Sequence, residues 1–270
     1  MKKVIYGQNR YYDDLINDDF SGTNLPKISL SGEYLYLPKT ILGRVFSFFL
    51  FYFIAIPIFQ LFNLFYLNIK IYGRHHLKKI KSGYVIYGNH SSHFDAFISQ
   101  AYLVKWKRSY IVSHPDAVSL KILRFFTKPL GALPLPTTYR GMQNYLKTIQ
   151  QLLARKKVVV VYPEGHIWPF YTGLRPFEAT SFRYASQNNV PAVAIVTTYR
   201  YPKGLFKQYR KPKINVHINA PIYPESHLSV KENAQKMHEQ TIKFMKTHLD
   251  SPTNVALYNY LPRNSASSSS

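Results

Sequence analysis

Cysteine is absent from this chain of 270 residues, and acidic residues are scarce. Without cysteine there is no disulfide, no thiolate nucleophile and no cysteine-ligated metal. Three further signatures are missing: the G-x-S-x-G turn of serine hydrolases, the Walker phosphate loop and the G-x-G-x-x-G dinucleotide loop. These absences exclude cysteine chemistry and argue against a serine hydrolase, a P-loop nucleotide-binding protein and a Rossmann dinucleotide-binding enzyme.

Positive charge dominates what is present. The 35 Lys and Arg residues stand against 13 Asp and Glu residues, which gives a formal net charge of +22. The excess lies after residue 33, because residues 1–33 hold five acidic and four basic residues. Such a surface favours anionic partners: nucleic acid, an anionic membrane, or an acidic or phosphorylated substrate.

One long apolar stretch covers residues 45–67 and contains ten aromatic residues and no charge. Its 23 residues are enough to span a bilayer. Pro57 bisects the stretch, so a kinked helix or a helix pair inserted in one leaflet is equally compatible. A core helix of a soluble protein is the third alternative. We expect a membrane-associating segment over 41–69, no signal peptide, and, since more bases follow the stretch than precede it, a cytoplasmic bulk.

After residue 82, strand-like and helix-like patterns alternate. Strands are predicted over 84–87, 110–113, 131–135, 157–162, 190–197 and 214–218, and helices over 94–104, 116–127, 142–156, 179–188 and 230–249. This alternation predicts the α/β class, with a mainly parallel mixed sheet flanked by helices. The expected organisation is an irregular polar extension over 1–40, the membrane segment, an α/β domain over 70–250, and a partly disordered tail over 251–270.

His90 follows the first predicted strand, at the edge where α/β folds bind ligands. Asp95 comes five residues later, which is about 140° around an ideal helix. The two side chains can therefore meet only if His90 stands outside the first turn and folds back. An Asp that holds one imidazole nitrogen leaves the other free to accept a proton, as a general base must. The alternative is a loop histidine near a carboxylate favoured by the helix dipole.

Two further stretches carry candidate polar residues. Glu164 and Gly165 end an apolar strand after Pro163, and His166 follows; the alternative for Glu164 is a turn carboxylate bonded to local amides. Arg140 begins a predicted helix, where positive charge is disfavoured, which suggests that it is held there for an anion. The alternative for Arg140 is a solvated surface residue.

Two other interpretations concern histidines and basic residues. His90 and His93 have the spacing of a metal-binding pair, but no carboxylate completes the pattern, so no metal is predicted. Aromatic and basic residues interleave over 201–213, which is compatible with nucleic-acid binding. A basic loop on the bilayer surface is the preferred interpretation, and no nucleic-acid partner is expected.

Four blocks, taken in order, resemble the glycerolipid acyltransferase family, best known for the lysophosphatidic acid (1-acylglycerol-3-phosphate) acyltransferases. The resemblance covers roughly residues 70–220. The blocks are Asn89-His90-x4-Asp95, the loop bearing Arg140, Pro163-Glu164-Gly165 and Val190-Pro191-Ala192-Val193. It implies that His90 is the general base that deprotonates the acceptor hydroxyl, and that Asp95 orients it.

The resemblance also implies roles on the acceptor side. Arg140 would bind the phosphate of the acceptor, and Glu164 and Gly165 would shape its site. His166 stands where the family usually has Thr, and it is a second candidate base or phosphate contact. Ile167, Glu178 and Ala179 also depart from the family pattern, and these departures fall on the acceptor side as well. The acceptor is therefore the part of the resemblance with the weakest motif support.

The function implied is that of a membrane-bound acyltransferase on the cytoplasmic side of the cell membrane. It would transfer a fatty acyl group from an acyl-carrier protein or coenzyme A thioester, the co-substrate, to the hydroxyl of a lysophospholipid acceptor. The expected acceptor is 1-acylglycerol-3-phosphate, which gives phosphatidic acid. No other cofactor is expected, and anionic membrane lipids are expected partners. The alternatives are a different lysolipid acceptor, or a basic membrane-peripheral binding protein that would tolerate His90→Ala.

Overall fold

The computed structural model describes residues 3–22, 28–104, 107–119 and 125–263. Its strands are β1 (Gln8–Tyr12), β2 (Lys70–Tyr72), β3 (Tyr84–Gly88), β4 (Ser109–Ser113), β5 (Ala132–Pro134), β6 (Val158–Val161), β7 (Ala192–Arg200), β8 (Lys213–Ile218) and β9 (Tyr258–Pro262). Its helices are α1 (Ile41–Leu67), α2 (His75–Lys78), α3 (Asp95–Ile98), α4 (Tyr139–Ala154), α5 (Arg183–Gln187) and α6 (Val230–Leu249).

Seven of these strands form one sheet in the order β2-β8-β7-β3-β6-β4-β5. β7, β3, β6, β4 and β5 are parallel, and β8 pairs antiparallel to β7. β3 and β6 are entirely buried because their runs of aliphatic and aromatic residues are covered on both faces. This mainly parallel mixed sheet confirms the predicted fold class. It also brings the carboxyl ends of β3 and β6, and the residues that follow them, to one edge.

The helices begin where the sequence provides caps. Thr138 accepts a hydrogen bond from the main-chain N–H of Gly141 at the start of α4, and Ser229 forms a capping box with Glu232 at the start of α6. The predicted helix over 94–104 is α3 followed by a π-helical turn at Ser99–Leu103. In the region predicted helical over 116–127, a 3-10 turn covers Pro115–Val118, and 120–124 lie outside the described residues.

The amino-terminal extension is mostly turns and irregular backbone, but it contains one strand, β1, that the sequence did not predict. β1 pairs in parallel with β9 near the other end of the chain, with Gln8 opposite Tyr258. Phe20 and Tyr260 pack against the buried ring of Trp168, with centroids 5.0 Å and 4.9 Å away. Local sequence gives no sign of a pairing between segments so far apart. The Ser-rich tail over 264–270 lies outside the described residues.

α1 is, within the described ranges, the one helix long and apolar enough to cross a membrane. It docks along the α/β domain by one face. Near its start, the Ser47 hydroxyl donates to the carbonyl of Pro129 at 2.6 Å and accepts from Arg108. In its second half, Phe59 stacks on Phe97 of α3, with ring centroids 5.4 Å apart.

The opposite face of α1 is exposed and apolar. Its exposed members are Ile41, Leu42, Val45, Phe46, Phe48, Phe49, Phe53, Ile54, Ile58, Leu61, Leu64, Phe65 and Tyr66. Pro57 lacks a main-chain donor and follows a π-helical turn at Leu50–Ala55, so the helix continues past it. A single helix with one docked face and one apolar face therefore replaces the helix pair considered from the sequence.

Candidate active site

His90 and Asp95 meet at the carboxyl end of β3. His90 folds back from the loop before α3, so that its Nδ1 lies 3.0 Å from Asp95 Oδ2. The same carboxylate oxygen accepts the main-chain N–H of Ser92 at 2.9 Å. The Asp95 side chain is fully buried and the His90 side chain is 17% exposed. The pair therefore has a buried anchor and an imidazole whose Nε2 is available to a ligand.

The loop that carries His90 is held by hydrogen bonds to β7 and to the loop that contains Trp168. Asn89 donates to the carbonyl of Thr197 at 3.1 Å and accepts the Thr197 N–H at 2.7 Å, so it bridges to β7. Thr197 Oγ1 also lies 3.5 Å from Asp95 Oδ1. The main-chain N–H of Trp168 donates to the carbonyl of His90 at 3.1 Å. These bonds fix the backbone, and the histidine ring with it.

Tyr162, the residue directly after β6, packs its ring against the His90 ring. The two rings stack with centroids 4.6 Å apart and an interplanar angle of 18°. The Tyr162 hydroxyl donates to the carbonyl of Asp95 at 2.7 Å and lies 2.8 Å from Ser99 Oγ. Burial raises the pKa of Tyr162 well above its ordinary value, so the hydroxyl stays protonated. Sequence reasoning missed this residue, and its place directly before Pro163 was the available signal.

Glu164 is buried beneath the cleft. Its Oε2 lies 3.2 Å from Nε of Arg175, which also donates to the carbonyls of Glu164 and His166. Burial raises the pKa of Glu164 to about 7, and the positive charge of Arg175 opposes that rise. Arg175, which the sequence did not single out as a site residue, thus joins the far end of the loop after β6 to its beginning at Glu164 and His166. Glu164 holds this loop, and Gly165 with a positive φ of 80° lines the cleft.

A cleft of about 640 Å³ opens over His90. Its polar lining includes His166, His114, Asp116 and, from the amino-terminal segment, Asp19. His166 Nδ1 lies 3.9 Å from Asp19 Oδ2, and burial lowers the pKa of His166. Asp19 was not a candidate, since nothing local shows that the amino-terminal segment reaches the cleft. Within the described part of the chain, the lining contains no Lys or Arg.

Arg140 does not lie in this cleft. It occupies an open groove with Lys39 and Lys147, and its Nη2 is 3.0 Å from Glu33 Oε1. Both partners are about three-quarters exposed, at 76% and 77%. The anion beside Arg140 in the structure is therefore a carboxylate of the same chain. Of the six predicted site residues, the structure brings His90, Asp95, Glu164, Gly165 and His166 together and leaves Arg140 apart.

This arrangement suits the removal of a proton from a bound hydroxyl. A carboxylate holds one imidazole nitrogen, the other nitrogen is open to the cleft, and an aromatic ring fixes the plane of the imidazole. Such a base works without an enzyme nucleophile when the second substrate is already activated for attack.

Residues 68–198 match the family described as Acyltransferase. No curated protein sequence matches the chain. The structure is similar to the crystal structure of the 1-acyl-sn-glycerophosphate (LPA) acyltransferase, PlsC, from Thermotoga maritima, with a TM-score of 0.51 at 16% identity over 67% of this chain and 71% of that chain. At this identity the likeness concerns the fold.

Proposed function

Since residues 68–198 match the family described as Acyltransferase, we propose that the chain transfers a fatty acyl group from a thioester to the free hydroxyl of a lysophospholipid at a membrane surface. This match, together with the likeness in fold, confirms the resemblance seen in the four sequence blocks. The observation that carries the proposal is the His90–Asp95 pair, whose carboxylate is buried and whose imidazole lines a cleft of about 640 Å³. The most direct acceptor to test is 1-acylglycerol-3-phosphate, which the family resemblance favours.

In the proposed reaction, His90 Nε2 takes the proton of the acceptor hydroxyl as its oxygen attacks the thioester carbonyl carbon. The tetrahedral intermediate collapses when the carbon–sulfur bond breaks, and the imidazolium returns its proton to the leaving thiolate. Asp95 keeps Nδ1 as the donor nitrogen and stabilises the transient positive charge. Positioned general-base catalysis of this kind contributes about 10²- to 10⁴-fold in rate.

More than one type of acceptor headgroup is compatible with the residues that line the cleft. A phosphate monoester needs cationic or amide donors, and Arg140 is engaged with Glu33 outside the cleft. Besides His90, the imidazoles that line the cleft are those of His93, His114 and His166. A lysolipid whose headgroup is not a phosphate monoester is therefore the second candidate acceptor.

The proposed membrane location follows from how α1 docks. Its amino-terminal half contacts Arg108, and its last turn is bonded by Lys213, whose ammonium donates to the carbonyl of Tyr66. A helix crossing the bilayer would carry one of these charged ends through hydrocarbon, which is costly. We therefore propose that α1 lies along one leaflet, with its exposed apolar face in the lipid and the catalytic domain on the cytoplasmic side.

The test is acyl transfer by the purified full chain in detergent and in vesicles. Acyl-carrier protein and coenzyme A thioesters are each offered with 1-acylglycerol-3-phosphate and with zwitterionic lysolipids. His90→Ala is expected to reduce the rate by at least about 10²-fold. The matched control is His75→Ala, because His75 lies on the surface at α2. Folded wild-type protein with no transfer to any lysolipid would contradict the proposal.

A further inference from the structure

The loop between β7 and β8, residues 201–212, exposes large apolar side chains at its tip. Leu205 is 91% exposed, Phe206 61% and Tyr201 63%. Gly204 has a φ of +96°, which an L side chain rarely adopts, so it makes the turn that presents Leu205. A leucine this exposed beside two aromatic rings is unfavourable in water, because apolar surface gains free energy when it leaves water.

The same loop carries a dense positive charge. Lys203, Lys207, Arg210 and Lys211 lie within nine residues, and no acidic residue occurs in 201–212. Apolar side chains at a tip with basic residues around it are the composition of a segment that enters an anionic lipid surface. The basic side chains attract the anionic headgroups, and the apolar side chains at the tip are stabilised in the acyl-chain layer beneath them.

The loop is ordered by contacts with the amino-terminal residues. The main-chain N–H of Val4 donates to the carbonyl of Gln208 at 2.8 Å, and the ring of Tyr6 packs on Tyr201 with centroids 5.2 Å apart. Ile5, between them, is 62% exposed and extends the apolar surface. The loop is thus held in one conformation before any partner arrives, which reduces the entropy lost on binding.

The position of the loop is continuous with the apolar face of α1. Arg200, at its start, donates to the side-chain oxygen of Asn68 at 2.8 Å, directly after α1. Lys213, at its end, bonds the carbonyl of Tyr66 in the last turn of α1. In that turn Leu64 and Phe65 are exposed by 70% and 66%. The base of the loop therefore lies beside the exposed last turn of α1.

We propose that the β7–β8 loop is a second membrane contact, in which Leu205 and Phe206 enter an anionic leaflet beside α1. The proposal rests on the one-leaflet placement of α1 in the proposed function. It assigns the loop to the bilayer rather than to nucleic acid, because an exposed leucine at the tip of a loop anchored beside α1 contributes nothing to binding a polyanion. Contact through both α1 and the β7–β8 loop would also fix how the α/β domain is oriented on the lipid surface.

The test uses the absence of cysteine, because a single introduced cysteine can be labelled alone. Leu205→Cys and Gln235→Cys are each made in the full chain and labelled with an environment-sensitive fluorophore. Gln235 is the matched control, since it is exposed on α6, and α6 packs through Met237 on the sheet face opposite to the one that α1 covers. The proteins are mixed with phosphatidylglycerol vesicles whose acyl chains carry bromine.

The expected result is a blue shift and at least twofold quenching at position 205, with neither at 235. A triple variant, Lys203→Gln, Lys207→Gln and Lys211→Gln, is expected to reduce the quenching at 205 at least twofold. Protein bound to vesicles with a solvent-exposed probe at 205 would overturn this inference alone. Protein that does not bind vesicles would overturn the placement of α1 as well, and a spectral response to a single-stranded oligonucleotide without lipid would assign the loop to nucleic acid.

Discussion

At the scale of single residues, the chain places two Arg–Glu pairs in opposite environments. Arg175 and Glu164 are buried, with side chains 1% and 2% exposed, whereas Arg140 and Glu33 are mostly exposed. A buried charge that loses its partner remains desolvated, and an exposed one is solvated by water. The buried pair should therefore control stability far more than the exposed pair does.

Arg175→Met is expected to lower the free energy of unfolding by about 3–5 kcal/mol, because it leaves Glu164 buried without its cation and frees the loop after β6. Arg140→Met is the matched control and is expected to cost about 1 kcal/mol or less. Thermal and urea unfolding of the purified variants measure both. Equal losses for the two variants would contradict the structural role assigned to Arg175.

At the scale of elements, β8 connects β2 to the sheet and packs against α6 through a histidine. His217 lies opposite Tyr72 of β2, and the two rings stack with centroids 4.8 Å apart. The ring centroid of His248, on α6, lies 4.4 Å from that of His217, and the Thr198 hydroxyl is 3.2 Å from His217 Nε2. The pKa of His217 is lowered to about 4, mainly by burial and to a smaller extent by the neighbouring His248.

This lowered pKa predicts a loss of stability in acid. A histidine whose folded pKa lies below its unfolded value near 6.5 favours folding while it is neutral, so the contribution is complete above about pH 6.5 and is lost as the pH falls towards 4. With allowance for solvent screening, we expect His217 to account for about 1–2 kcal/mol. His217→Gln, which keeps a partner for Thr198, should flatten the curve of unfolding free energy against pH between 6.5 and 4. An unchanged curve would contradict this assignment.

At the scale of the whole molecule, the docking of α1 predicts on which side of a membrane its two ends lie. If α1 lies along one leaflet, Lys39 before it and Lys70 after it face the same aqueous side. If α1 crossed the bilayer, they would face opposite sides.

Lys39→Cys and Lys70→Cys, made singly and reconstituted in sealed vesicles, are expected to react with a membrane-impermeant thiol reagent to the same extent. The cysteine-free chain gives no background. The reagent is added first outside the vesicles and then after permeabilisation, which corrects for mixed orientation. Opposite protection of the two positions would show that α1 spans the membrane.

The sequence by itself determined the features whose causes are local. Uninterrupted apolar runs produce buried strands such as β3 and β6, and the apolar periodicity and caps produce α4 and α6. The pairing of His90 with Asp95 was also predictable, because only five residues separate them and both belong to one strand–loop–helix unit.

The tertiary structure decided every relation between distant segments. Tyr162 lies under His90 because β6 is the neighbour of β3 in the sheet, and Asp19 reaches the cleft because the amino-terminal segment packs on Trp168. Leu135, directly after β5, still lines the cleft, whereas Arg140 in the first turn of α4 lies in the separate groove beside Lys39 and Lys147. Motif order along the chain is not distance in the fold, since strand order in the sheet sets which loops meet at its edge.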